Sequence, residues 1–167
     1  RRLQEAAPAV HRDFSGGREE LSLTYQTVSS VSDPTAAPQK ILEQLRDHQE
    51  RHRQAELDSR QCLSGPHKDD LLVELDGRSA KTYGSQGQTR TAALSLKLAQ
   101  RDIFFQETGE YPVLLLDDVL SELDARRQAF VLNHIQGGQI FITCCEEEKL
   151  EGLEGGAAFH IHGGALV

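Results

Sequence analysis

The chain has 167 residues, 38% of them apolar, which is enough for one ordinary domain with a packed core. Its formal net charge of −8 is the reverse of the usual balance in a free-standing nucleic-acid binder, so bulk charge lends no support to DNA binding, although a basic face can sit on an acidic protein. Cys62, Cys144 and Cys145 make a poor disulfide framework and fit a reducing, cytoplasmic setting, and no run reaches the roughly eighteen apolar residues of a membrane helix, so no membrane partner is expected.

From Arg1 to about Phe14 the spacing of Leu3, Ala6, Ala7 and Val10 predicts a helix, closed by Gly16 and Gly17. The chain holds no Met and opens on what reads as the middle of that helix, an expectation of a piece of something longer. Glu20 to Ser30 alternates, with Leu21, Leu23, Tyr25 and Val28 against Ser22, Thr24 and Gln26, and predicts a strand with one wet face. A loop over Ser32–Pro38 leads into a long polar helix with a thin stripe of Ile41, Leu42 and Leu45, suited to the outside or to an arm. After Gly65, the residues Leu71, Val73 and Leu75 alternate with Leu72, Glu74 and Asp76 before an Asp-Gly turn. Thr82–Arg90 reads as a glycine-containing loop and Thr91–Gly109 as an apolar helix. Tyr111–Asp118 reads as a strand buried on both faces. A helix over Ser121–Gly138 follows, with Phe130, Val131 and Ile135 inward. Gln139–Thr143 reads as another buried strand and Ala157–Val167 as a last one. This order predicts an α/β fold, a mainly parallel sheet flanked by crossover helices.

Two stretches carry chemistry. In "VLLLDDVLSELD", Val113 to Asp124, four apolar residues run into two adjacent acids. The carboxyl end of a parallel strand is where open α/β sheets bind ligands. Asp117 there can hold Mg²⁺, and Asp118 can orient a water for attack on a phosphate. The plainer reading is a strand ending in two solvated turn acids. In "GSQGQTR", Gly84 to Arg90, a small polar turn leads into a helix, and exposed N–H groups with the helix dipole favour an anion. Ser85 Oγ and the Gly87 N–H are the candidate phosphate donors. Glycine-containing turns before helices are common, so this stretch alone is weak.

Taken together, a "SxGQ" turn, an apolar helix, then "LLLDD" with "SELD" behind it resembles the order in ABC-type ATPases. "GPHKDDL" (Gly65 to Leu71), "GSQGQTRTAALSLKLA" and "PVLLLDDVLSELDARR" resemble the carboxyl-terminal half of one branch of that class, the bacterial RecF recombination and repair family. The likeness is specific from Gly65 to about Thr143 and looser elsewhere. It implies that residues 1–64 are the end of a helical arm domain and 65–167 the carboxyl-terminal part of an ABC-type ATPase domain. Carried over residue by residue, Ser85, Gln86, Gly87 and Gln88 occupy the signature, Asp117 the Mg²⁺ position, and Asp118 the place of a catalytic acid. Ser121 to Asp124 occupy the loop that crosses a dimer interface, with Asp124 toward the nucleotide. Many ABC proteins place a switch histidine after the strand "QIFIT"; here Cys144 stands there, so the role is in doubt or passes to Thr143.

The resemblance implies ATP and Mg²⁺ bound between two subunits, an ATP-dependent homodimer and slow hydrolysis. It further implies DNA as partner, single-stranded or gapped duplex, together with other recombination-repair proteins, the loading of recombination mediators, and the SOS response. Yet no segment here reads G-x-x-x-x-G-K-[ST], the phosphate-cradling loop. In the family that loop lies nearer the amino terminus, so this chain alone is not expected to hydrolyse ATP. One alternative is a non-catalytic module that recruits a repair partner. Another, the ATPase half of an ABC transporter, is disfavoured by "GPHKDD", by the direct "SELDARR" helix and by Gly84 in place of the transporter-type signature leucine.

Lesser features have plainer readings. His48 and His52 could pair on a metal but fit a solvated helix face. His160 and His162 share a strand face. Cys144 and Cys145 read as buried thiols, and "EEEK" (Glu146 to Lys149) as a solvated loop or helix start. His67 and Lys68 either face a ligand or form the entry turn to a core strand.

Overall fold

Helix α1 (Arg2–Ser15) is the element expected at the start of the chain, in a computed structural model that describes residues 1–27, 30–146 and 155–167. Its Ala7, Val10, His11 and Phe14 form one buried stripe at helical spacing. Gly16 ends it at φ +67°, and the Gly17 N–H returns to the Arg12 carbonyl at 2.7 Å, a Schellman-type stop. A Cβ on Gly16 would meet the Arg126 guanidinium, which lies across that turn. Gly16→Ala is therefore expected to destabilise the chain by about 1–2 kcal/mol, chiefly through the left-handed backbone, with Arg126 displaced; urea unfolding of the full chain measures it. An unchanged midpoint would mean the turn relaxes to another conformation.

Two compact units make up the chain. Residues Arg1–Glu19 join Ser85–Val167 in one, and Glu20–Gly84 form the other. The expected parts, 1–64 and 65–167, divide the chain differently from its compact units. The reason is that α1 lies along α4 (Gln86–Thr108), and Phe14 stacks on Phe130 with ring centroids 4.7 Å apart. Side chains from the end of the chain complete the buried face of its first helix.

The 20–84 unit holds an antiparallel sheet of β1 (Leu21–Gln26), β2 (Asp70–Leu75) and β3 (Arg78–Ser79). Leu21 faces Leu75 and Leu23 faces Val73 across it, as the alternation requires. Tyr25 donates its hydroxyl to Asp69, whose carboxylate raises the phenol pKa. The long helix α2 (Pro38–Ser59) buries none of its residues, matching its polar composition. A four-residue helix, α3 (Ala80–Tyr83), occupies part of the expected loop. Val28, expected in the first strand, lies outside the described residues, as does the run from 147 to 149 in "EEEK".

In the other unit α4 begins at Gln86, ahead of the expected start at Thr91, because Ser85 and Gln88 cap it. Strand β4 (Leu114–Asp117) pairs parallel with β5 (Ile140–Thr143), and α5 (Ala125–His134) crosses between them, the connection the sequence order called for. Among the described residues, parallel pairing is confined to these two strands. Burial on both faces is not observed: Leu116 is buried, while Leu115 is 70% exposed and its register partner Phe141 54%. Alternation sends those two side chains to the face opposite Leu116. Arg101, buried on α4, donates to the carbonyls of Gln136 and Gly137 and lies 3.9 Å over the Tyr111 ring, tying down the turn before β5. The expected last strand is instead a hairpin, β6 (Ile161–His162) with β7 (Ala165–Leu166), because Gly163 and Gly164 both take positive φ.

Candidate functional site

Strand β4 delivers Asp117 at its carboxyl end, paired in register with Thr143 at the end of β5. The next residue, Asp118, leaves the strand at φ +50°, a left-handed conformation that Asp and Asn adopt more readily than most residues. Thr143 holds the two acids together. Its Oγ1 donates to Asp117 Oδ1 at 2.5 Å and accepts the Asp118 N–H at 3.0 Å, while its carbonyl accepts the same N–H at 3.2 Å. Ser121 Oγ donates to Asp118 Oδ1 at 2.6 Å. The acid pair is thus a fixed turn with both carboxylates exposed, and each keeps its Oδ2 outside these bonds. Thr143 binds both acids to the end of the sheet.

No group of three or more His, Cys, Asp or Glu that could hold a metal by itself occurs among the described residues. Two carboxylates with free oxygens do fit Mg²⁺ in its common setting, where waters and substrate phosphates supply most of the ligands.

The segment after this turn is anchored from inside. Leu120 and Leu123 are buried, and Gln128 Nε2 donates to both of their carbonyls, at 2.7 and 3.0 Å. Asp124 caps α5 by accepting the Arg127 N–H at 2.9 Å and pairs with the Arg127 guanidinium at 3.2 Å. A Cβ on Gly87 would lie 3.8 Å from that guanidinium, so the start of α4 sits beside the start of α5.

At the start of α4 a capping box orders the signature residues. The Gln88 N–H donates to Ser85 Oγ at 3.3 Å, and the Ser85 N–H donates to Gln88 Oε1 at 2.9 Å. Ser85 and Gln86 are exposed, and Gly87 and Gln88 half-buried. Ser85 thus lies exposed at the amino terminus of α4, the end of a helix that favours an anion. Gln88 is occupied inside the subunit: its Nε2 donates to Glu19 Oε1 at 3.1 Å. Glu19 Oε2 in turn lies 3.3 Å from Nε2 of His11, whose side chain is wholly buried. Sequence reasoning passed over both. His11 could have been found, since it falls on the apolar stripe of Ala7, Val10 and Phe14; nothing local marks Glu19.

Among the described residues, the remaining histidines and cysteines form no metal-holding group. The His48 and His52 rings stack 4.0 Å apart on α2, and His160 and His162 are exposed. His67 Nε2 lies 3.3 Å from the Cys62 carbonyl oxygen, in keeping with an entry turn. Cys144 is half-buried and Cys145 exposed, which corrects the expectation of buried thiols; both follow the end of β5, beyond the paired register. No helix among the described residues is long and apolar enough to cross a membrane.

No protein-family model matches the chain. It is 46% identical over 168 residues to the DNA replication and repair protein RecF of Bacillus subtilis (strain 168), covering 99% of this chain and 45% of that protein. It is 40% identical over 151 residues to the protein of the same name in Clostridium tetani, covering 90% of this chain and 41% of that one. Two solved structures superpose with TM-scores of 0.77 and 0.76, each at 34% identity and covering 99% of this chain and 43% of theirs. They are described as the recombination mediator protein RecF-ATPrS and RecF-ATP in the RecFOR pathway. The chain spans less than half the length of these relatives. With the motifs, the fold and this similarity in agreement, the chain belongs to the RecF family and corresponds to its carboxyl-terminal half.

Proposed function

We propose that the chain is the part of an ATP-controlled DNA repair protein that supplies the acids of one nucleotide site and the signature turn of another. The observation that carries this reading is the pair of ordered, exposed turns in one compact unit, the Thr143-bound acids and the Ser85 cap. The Thr143-bound pair presents carboxylates, and the Ser85 cap presents donors.

In this reading Asp117 would hold Mg²⁺, which would supply charge neutralisation for the transferred phosphoryl group. Asp118 accepts from and orients the attacking water. Ser85 Oγ and the first N–H groups of α4 donate to the partner subunit's nucleotide, and Gln86 and Gly87 shape that turn. Asp124 and Ser121 keep the intervening loop in place at the interface. ATP joins the two subunits and hydrolysis releases them. The dimer acts on single-stranded or gapped DNA with other recombination-repair proteins, in the cytoplasm. The named relatives, all DNA replication and repair proteins, and the ATP-bearing solved neighbours support this assignment.

Sedimentation of the whole protein tests it. Dimers are expected with ATP and Mg²⁺ and monomers without. The isolated chain, lacking the phosphate loop, is expected to show no magnesium-dependent phosphate release. Turnover by the isolated chain, or a dimer indifferent to ATP, would overturn the reading.

A further inference from the structure

The geometry points to Glu19, braced by buried His11, as the positioning residue for the Ser85 signature turn. The inference rests on the signature reading of Ser85 proposed above. A glutamine amide has an oxygen and a nitrogen of nearly equal size, so shape alone does not decide which end faces the serine. If the Gln88 amide were turned over, its NH₂ would oppose the Ser85 N–H and the box would be lost. Glu19 removes that choice. A carboxylate only accepts, and Glu19 Oε1 at 3.1 Å draws Gln88 Nε2 toward itself. Gln88 Oε1 is thereby left facing the Ser85 N–H at 2.9 Å.

Glu19 is itself held. Its side chain is 15% exposed, and its Oε2 lies 3.3 Å from His11 Nε2. His11 Nδ1 lies 3.1 Å from Ser95 Oγ, whose own proton goes to the Thr91 carbonyl at 2.8 Å. Ser95 Oγ therefore accepts from His11 Nδ1–H. His11 Nε2 and Glu19 Oε2 thus face one another in a close contact, with the His11 side chain wholly buried. The line Ser95–His11–Glu19–Gln88–Ser85 runs from the buried contact of α1 with α4 to the exposed signature hydroxyl. Packing deep in the unit thus sets the conformation of a turn that a second subunit must meet.

The test uses the whole protein and reads ATP-driven dimerisation by sedimentation, beside the nucleotide affinity of the single subunit. Glu19→Ala removes the acceptor and is expected to weaken dimerisation about tenfold, the size of a lost helix cap, at unchanged nucleotide affinity. Gln88→Glu sets two carboxylates against each other and is expected to weaken it further. Combining Gln88→Glu with Glu19→Gln exchanges acceptor and donor, restores the bond in the opposite sense, and is expected to recover most of the loss. A purely structural role predicts no such recovery. Ser85→Arg is run alongside as the check on the signature reading. If Ser85→Arg abolishes dimerisation while Glu19→Ala and Gln88→Glu leave it at the wild-type level, the positioning role is wrong and the signature stands. If Ser85→Arg has no effect, the signature reading itself fails. Should Glu19→Ala not fold, the exchange pair decides alone: no recovery in the double variant overturns the inference.

Discussion

Asparagine in place of Asp118 is expected to slow ATP hydrolysis by the whole protein roughly 10²–10⁴-fold, the usual cost of losing a group that positions and deprotonates a nucleophile. The substitution is chosen for its backbone. Asp118 sits at φ +50°, where asparagine is among the few residues at ease, so the turn keeps its shape. An amide oxygen can still accept from Ser121 Oγ, and the backbone N–H of residue 118 still reaches Thr143. Asp117, the expected metal ligand, is untouched. Nucleotide binding and ATP-driven dimerisation should therefore survive while turnover stalls, and the dimer should outlive its wild-type counterpart. Single-turnover phosphate release beside a nucleotide titration separates the two effects. Hydrolysis at the wild-type rate would assign Asp118 to the turn alone. Loss of binding together with turnover would make it a metal ligand instead.

Arginine in place of Ser85 is expected to abolish ATP-driven dimerisation while each subunit still binds ATP with near-normal affinity. The side chain is exposed at the amino terminus of α4, and its Oγ caps that helix. Arginine removes the cap and fills the approach of a second subunit with a bulky cation. Loss of the cap by itself costs about 1 kcal/mol, too little to unfold a helix whose Leu94, Leu98 and Ala99 are buried, so the block at the interface dominates. Sedimentation with and without ATP measures dimerisation, and an equilibrium titration measures binding. If both properties fall together, Ser85 serves a site within one subunit or the fold itself. If neither changes, the turn is an ordinary helix cap.

Much of this was legible from residue order alone. Helical spacing in Leu3 to Val10 and the alternation of Leu21 to Tyr25 report local backbone periods, and local periods are written in neighbouring residues. The parallel pairing of β4 with β5 followed from the intervening helix, because a crossover of that kind admits one hand. Ser85 and Asp124 as candidate residues, and the acid pair at a strand end, were equally local. The family assignment rested on three such stretches lying in the right order.

Contacts between residues remote in sequence were decided only by the tertiary structure. Thr143 meets Asp117 and Asp118 because β4 and β5 pair in one register; a shift by one residue would turn its hydroxyl to the other face and free both acids. Glu19 reaches Gln88 across 69 positions of sequence, which no periodicity records. The early start of α4 also needed coordinates, since the Ser85–Gln88 box competes with the glycine that suggested a loop. The exposed Leu115 and Phe141 make the same point: an apolar run states that a strand prefers burial, and only packing shows which of its faces this chain covers.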